Sequence, residues 1–303
     1  MNPAPTWNLI TDVQQMLAYS FMVNAIRAGA LVAVVAGVVG WMMVLRRESF
    51  AGHTLALVGF PGAAAAAWLG VATGYGYFVG CVAAAAAIAM LSPPAPGGGG
   101  GFVEESALIG TVQAVALATG LLFVSLYHGF LSGLTNLLFG TIAGVSSSQV
   151  KVLLIAALLC LAALAVIGRR LFWASIDPDT AAAQGIPIRL TAAVFLLILG
   201  MAAAGASQVT GSLLVFVLLV CPPAAAQQLT ARPGLGIALS VVIAVAVTWV
   251  GMGCAFFSPY PIGFWVSSLA FAMYLLASAY RRSIDRGWRR PIRPHVADRP
   301  VAP

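Results

Sequence analysis

Long apolar runs recur along nearly the whole chain, and no other feature restricts its fold as tightly. A run of about 18 or more apolar residues crosses a bilayer as a helix, because a helix satisfies its own N–H and C=O groups where no water can. Nine such segments can be placed, at 17–45, 54–71, 75–91, 106–127, 150–168, 190–206, 211–228, 235–256 and 263–280. The second and third are short and rich in Gly and Ala, so eight is the alternative count. The 303 residues are 61% hydrophobic and 8% charged with a mean hydropathy of +0.99, more apolar than a water-soluble domain of this size needs. The expected fold class is all-α, a polytopic membrane bundle of eight or nine transmembrane helices with small residues at its helix contacts. Residues 129–148 are too polar at their ends for a span and too apolar for a plain loop, and read as a re-entrant or interfacial piece.

The arginines orient the bundle. With the N-terminus outside and the C-terminus inside, the inner loops hold Arg46, Arg47, Arg169, Arg170, Arg189 and Arg232, and the tail holds seven more arginines. Thirteen of the 15 basic residues then share one side, and only Arg27 and Lys151 fall elsewhere. Positive flanks are retained in the cytoplasm, so the expected location is the plasma membrane, multi-pass, N-out and C-in. The net charge of +7 is thereby explained by topology and not by nucleic acid. Residues 1–280 form the expected membrane domain. The tail, 281–303, is basic, expected to be disordered, and suited to anionic lipid headgroups. Met1–Ala18 has no Lys or Arg, so the first span, not a cleaved signal peptide, is expected to direct insertion.

One polar island, 169–189, interrupts the apolar runs. Asp177 stands as an N-cap, Pro178 at the first helical position, and Asp179 at the positive helix end. Thr180 to Gln184 form the body, Gly185 is the stop, and Pro187 forbids continuation. A helix of about two turns is marginal in water, so one set between two spans suggests a surface held for a partner. The stretch Ser92–Gly101 is a flexible Pro/Gly linker. Neither it nor any other segment carries a phosphate-binding Gly-Lys-Ser/Thr loop. If ATP drives this protein, another chain must bind it.

Candidate ligands are few. His53 is an ionisable group at the edge of the second span amid small residues, which makes it the leading pathway ligand. His128, at the outer end of the fourth span, and Cys221, in Cys221-Pro222-Pro223, are secondary metal candidates; Pro222 and Pro223 are expected to kink their helix. Cys81, Cys160 and Cys254 read as packing residues, and Glu104 and Glu105 as favourable charges at a helix start. No catalytic dyad or metal triad is present, so an enzyme is not expected. The alternative class is an ATP-independent channel or secondary transporter. Such proteins carry ionisable groups near the midplane, and no acidic residue falls inside the nine segments.

Several segments in order resemble the ABC-3 family of metal-importer permeases. They are Val44-Leu45-Arg46-Arg47-Glu48-Ser49-Phe50-Ala51-Gly52 with Pro61-Gly62, Leu138-Phe139-Gly140 through Val145-Ser146, and Ile176-Asp177-Pro178-Asp179 through Gly185-Ile186-Pro187. Gln208-Val209-Thr210-Gly211-Ser212-Leu213-Leu214-Val215 and Cys221-Pro222-Pro223-Ala224-Ala225 complete the set, so the match spans about residues 20 to 280. The resemblance implies a type II importer-like permease that forms the pathway for a divalent metal, zinc or manganese. It also implies a homodimer or paired permease, separate ATP-binding subunits, an extracytoplasmic metal-binding protein, and no cofactor bound by this chain. Asp177, Asp179, Thr180, Gln184 and Gly185 would form the coupling helix seated in the ATPase. The family commonly has Asp where His53 stands and His where Leu57 stands. One ligand has changed type here and the other is gone, so the resemblance leaves the metal open.

Overall fold

The computed structural model describes residues 9–92, 101–127 and 145–288, and all secondary structure there is helical. The helices are α1 (Leu9–Leu17), α2 (Ser20–Leu45), α3 (Ser49–Trp68), α4 (Thr73–Leu91), α5 (Gly101–Leu126) and α6 (Ser147–Ile176). The short α7 (Pro178–Ala183) is followed by α8 (Ile188–Thr210), α9 (Ser212–Leu229), α10 (Pro233–Phe256) and α11 (Ile262–Trp288). Eight of them, α2 to α6, α8, α10 and α11, are long and apolar enough to cross a membrane. The remaining expected segment is α9, whose described apolar stretch is the shorter Val215–Leu229. Each of the nine apolar segments therefore finds a helix. His128 and most of the 129–148 piece lie outside the described residues.

Several helices outrun their apolar segments. The α3 helix starts at Ser49 instead of 54, which puts His53 one turn inside it. The α6 helix continues to Ile176 and carries Arg169 and Arg170 in its last turns. The α11 helix continues to Trp288, so the tail expected to be disordered from 281 begins as helix. Hydropathy reports where a helix meets lipid, not where its hydrogen bonds stop, and arginines extend along a helix end while keeping their heads in water. At its other end, α6 begins with a capping box in which Ser146 and Gln149 satisfy each other's backbone N–H groups.

Cross-helix contacts fix the two ends of the bundle. At one, Arg46 reaches Ser175, Gln227 Nε2 donates to Trp41 O at 3.0 Å, and Arg281 Nη1 donates to Gln228 O at 3.4 Å. Arg169, Arg170, Arg189 and Arg232 belong to the same end, on the terminal turns or caps of α6, α8 and α10. At the other, Asn24 Nδ2 donates to Val145 O at 3.4 Å, and the Tyr19 and Phe256 rings lie 5.8 Å apart. Among the described residues, the structure thus gathers at one end the inner-loop arginines that the sequence assigns to one side.

The core forms around α2, which packs against α6, α8, α9 and α10. Its contact with α9 is backbone-close: a Cβ on Gly40 would lie 2.3 Å from Leu219 O. That carbonyl is four residues before Pro223, which has no N–H to offer it, so α2 approaches α9 where the helical ladder is open. The helix itself continues through both Pro222 and Pro223. The α3–α4 hairpin is built the same way, with Cβ atoms on Gly62 and Gly76 each falling 2.2–2.3 Å from the other residue's carbonyl oxygen. The Gly/Ala bias that made these two segments ambiguous is what lets their backbones meet.

Candidate functional site

From Phe50 to Pro61, helix α3 is buried except along one stripe. Phe50 is exposed and His53, Leu57 and Phe60 are half-buried, a spacing of three and four residues that marks one helix face. The His53 ring stands edge-on to Phe216 of α9, with centroids 4.8 Å apart at 70°. Its Nδ1 is buried and has no hydrogen-bond partner among the described residues. A buried polar nitrogen without a partner costs about 1–3 kcal/mol, so this atom is held in place by packing and not by bonding. On α9 the half-buried residues Phe216, Val220 and Ala224 recur every four residues and share one helix face, of which Phe216 meets His53. Behind His53, the fully buried Thr54 donates through Oγ1 to Gln113 Oε1 of α5 at 2.8 Å, which ties α5 to the same segment.

Imidazole is a good ligand for borderline divalent metals, and its second nitrogen is normally oriented by a partner. Among the described residues, no three His, Cys, Asp or Glu side chains come together closely enough to hold a metal ion. Leu57 lies on the His53 stripe, four residues along, and supplies no ligand atom. Cys221 is half-buried against the core. His128 lies outside the described residues. What the stripe offers is a single nitrogen on an otherwise apolar, partly open face. Phe216, Thr54 and Gln113 were not singled out in the sequence. The one signal they gave was an isolated Gln inside a long apolar run.

The polar island folds as its grammar dictates. Asp177 caps α7, accepting from Thr180 N at 3.0 Å and from Thr180 Oγ1 at 2.6 Å. Those two bonds, side chain first, hold its carboxyl below the usual carboxylate range. The helix closes one residue sooner than expected, with Gln184 as its C-cap. Gly185 follows at φ +78°, and Ile186 N–H reaches back to Ala181 O at 3.1 Å. This is the left-handed stop that favours glycine. Ala181 is 2% exposed and anchors the turn, while Asp177, Asp179, Thr180, Gln184 and Gly185 are exposed at the basic end. A helix this short, capped at both ends and with one residue buried, presents its remaining surface outward.

Residues 18–281 match the model of the ABC 3 transport family. A manganese transport system membrane protein (MntC) of Halalkalibacterium halodurans is 28% identical over 285 residues, covering 93% of this chain and 96% of the relative. A chelated iron transport system membrane protein (YfeD) of Yersinia pestis is 26% identical over 71% of this chain and 70% of its own length. Among solved structures, PsaBC from Streptococcus pneumoniae in complex with Fab superposes with a TM-score of 0.79 at 21% identity, over 92% of this chain and 99% of that one. That likeness establishes the fold.

Proposed function

The chain belongs to the ABC 3 transport family, and from that membership we propose that it is the membrane permease subunit of an ATP-driven importer of a divalent metal ion, manganese or zinc. The observation that carries this reading is α7. A doubly capped, exposed helix at the basic end, joined directly to two spans, is a handle by which a soluble subunit can move the bundle. Asp177, Asp179, Thr180, Gln184 and Gly185 form its contact surface. ATP is bound and hydrolysed by a separate subunit seated there, since this chain has no phosphate loop.

The path runs along the α3 stripe of Phe50, His53, Leu57 and Phe60, faced by Phe216 of α9. His53 is the metal-contacting residue of this chain, with Cys221 and His128 as secondary candidates. One imidazole is too few ligands for a divalent ion, so a second permease, either another copy or a paired subunit, completes the path with its own stripe. The basic end faces the cytoplasm, N-out and C-in, and an extracytoplasmic binding protein delivers the ion to the opposite end. ATP acts by favouring one arrangement of the helices through contacts it makes in that state alone.

The test is reconstitution. The chain, co-expressed with an ABC-type ATP-binding subunit from the same organism, should form a stable complex that takes up Mn²⁺ or Zn²⁺ into liposomes only when ATP is hydrolysed. Metal uptake by this chain alone would overturn the reading in favour of a channel or secondary transporter.

A further inference from the structure

The turn between α2 and α3 holds a charged side chain that neither the path nor the docking surface uses. Arg46 donates through Nε and Nη2 to Glu48 Oε1, at 2.8 and 2.5 Å. Its Nη1 donates to Ser175 Oγ at 3.2 Å, and its Cζ lies 5.4 Å from the centre of the Phe195 ring. The Arg46 and Glu48 side chains are only 11% and 15% exposed. Ser175 is oriented to accept, because its own hydroxyl donates to Leu171 O one turn back.

The chain positions of these partners carry the argument. Glu48 is the N-cap of α3, five residues before His53. Ser175 is two residues before Asp177, the cap that starts α7. Phe195 lies two turns into α8, the helix that leaves the α7 segment. One planar guanidinium therefore grips the helix entering the docking element, the helix leaving it, and the helix bearing the candidate ligand. Arg47 sits at φ +61°, and Glu48 N–H closes back onto Met43 O at 3.1 Å, so the turn that aims Arg46 is a fixed one. Burial pushes the Glu48 carboxyl up; Arg46 opposes that rise and Glu105 of α5 adds to it. Among the described residues Glu48 Oε2 is buried without a hydrogen-bond partner, and Arg46 is the side chain that donates to this carboxylate.

We propose that Arg46 is the positioning residue that transmits movement of α7 to α3, through Ser175 on one side and Glu48 on the other. This rests on the reading of α7 as the contact for an ATPase. Ser175→Ala cuts the link to α6 and leaves the Arg46–Glu48 pair in place, whereas Ser175→Thr keeps the hydroxyl. Arg46→Lys keeps the charge but replaces a planar fork with a point donor that cannot hold all three partners.

The measurement is the number of Mn²⁺ ions taken up per ATP hydrolysed, by full-length chain reconstituted with its ATPase and matched for subunit content. Ser175→Ala and Arg46→Lys should lower that ratio about threefold to tenfold, within the roughly twofold to thirtyfold by which residues along a coupling network act. Ser175→Thr should match the wild type. A merely structural role would reduce the amount of assembled complex and leave the ratio unchanged, and that result overturns the assignment of Arg46. A wild-type complex that hydrolyses ATP without driving either Mn²⁺ or Zn²⁺ uptake overturns the transporter reading, and this assignment with it.

Discussion

A methyl group at residue 40 would have to occupy space already held by a backbone oxygen. Gly40→Ala places its Cβ 2.3 Å from Leu219 O, and α2 and α9 can only separate to admit it. Overpacking of this kind costs about 1–3 kcal/mol, so the melting temperature of the purified protein in detergent should fall, and an unchanged value would show that the seam is looser than described. His53 calls for a different measurement. Introducing the ligand types that the resemblance implies, with His53→Asp and Leu57→His, should change the relative uptake of Mn²⁺ and Zn²⁺, since oxygen ligands favour the harder ion. An identical metal profile would remove the α3 stripe from the path. His53 was legible in the sequence because an ionisable group at a span edge is conspicuous. Its setting was not, because Phe216 is 163 residues further along the chain and only the fold brings the two rings together.

Helix α7 can be disturbed without touching the bundle. At Gly185 the space around an added Cβ is open, so Gly185→Ala meets only the backbone strain of φ +78°, about 1–2 kcal/mol for a non-glycine residue there. ATP hydrolysis should then uncouple from uptake while the bundle's melting temperature holds; unaltered coupling would refute the docking role. Acid should act on the same helix through its cap. The folded Asp177 carboxyl lies below its ordinary value of 3.8, so its contribution is present above that pH and lost as pH falls through the folded value. Protection factors across Asp179–Gln184, corrected for the intrinsic pH dependence of amide exchange, should therefore fall in acid, and Asp177→Ala should be unprotected at every pH. Equal protection of wild type and variant would remove the cap from the account. This element was readable in advance because cap, proline and stop are local signals. The true lengths of α6 and α11 were not, because hydropathy ends at the lipid boundary and the hydrogen-bond ladder does not.

On the scale of the whole molecule, the proposed N-out, C-in arrangement puts α1 and the end of α11 on opposite faces of the membrane, whereas eight crossings would leave them on the same face. Membrane-impermeant thiol reagents should label a cysteine introduced at Gln14 from outside intact cells, and one introduced at Arg282 only after permeabilisation. The reverse pattern, or labelling of both from one side, would overturn the N-out, C-in arrangement. The arginine count points to this order on charge alone, and the labelling decides it. The Gly62–Gly76 crossing could not be anticipated, since nothing in a Gly/Ala-rich run says which glycine meets which. That crossing bears on how the protein is made. The α3 helix has the least apolar membrane-length window of the eight, yet most of it is buried. Translocation machinery that samples segments one at a time would find it a poor candidate to release alone into lipid, so α3 and α4 should partition together as a preformed pair. Damage at Gly62 or Gly76 would then surface during biosynthesis, as misinserted chains cleared by quality-control proteases, before any question of transport arises.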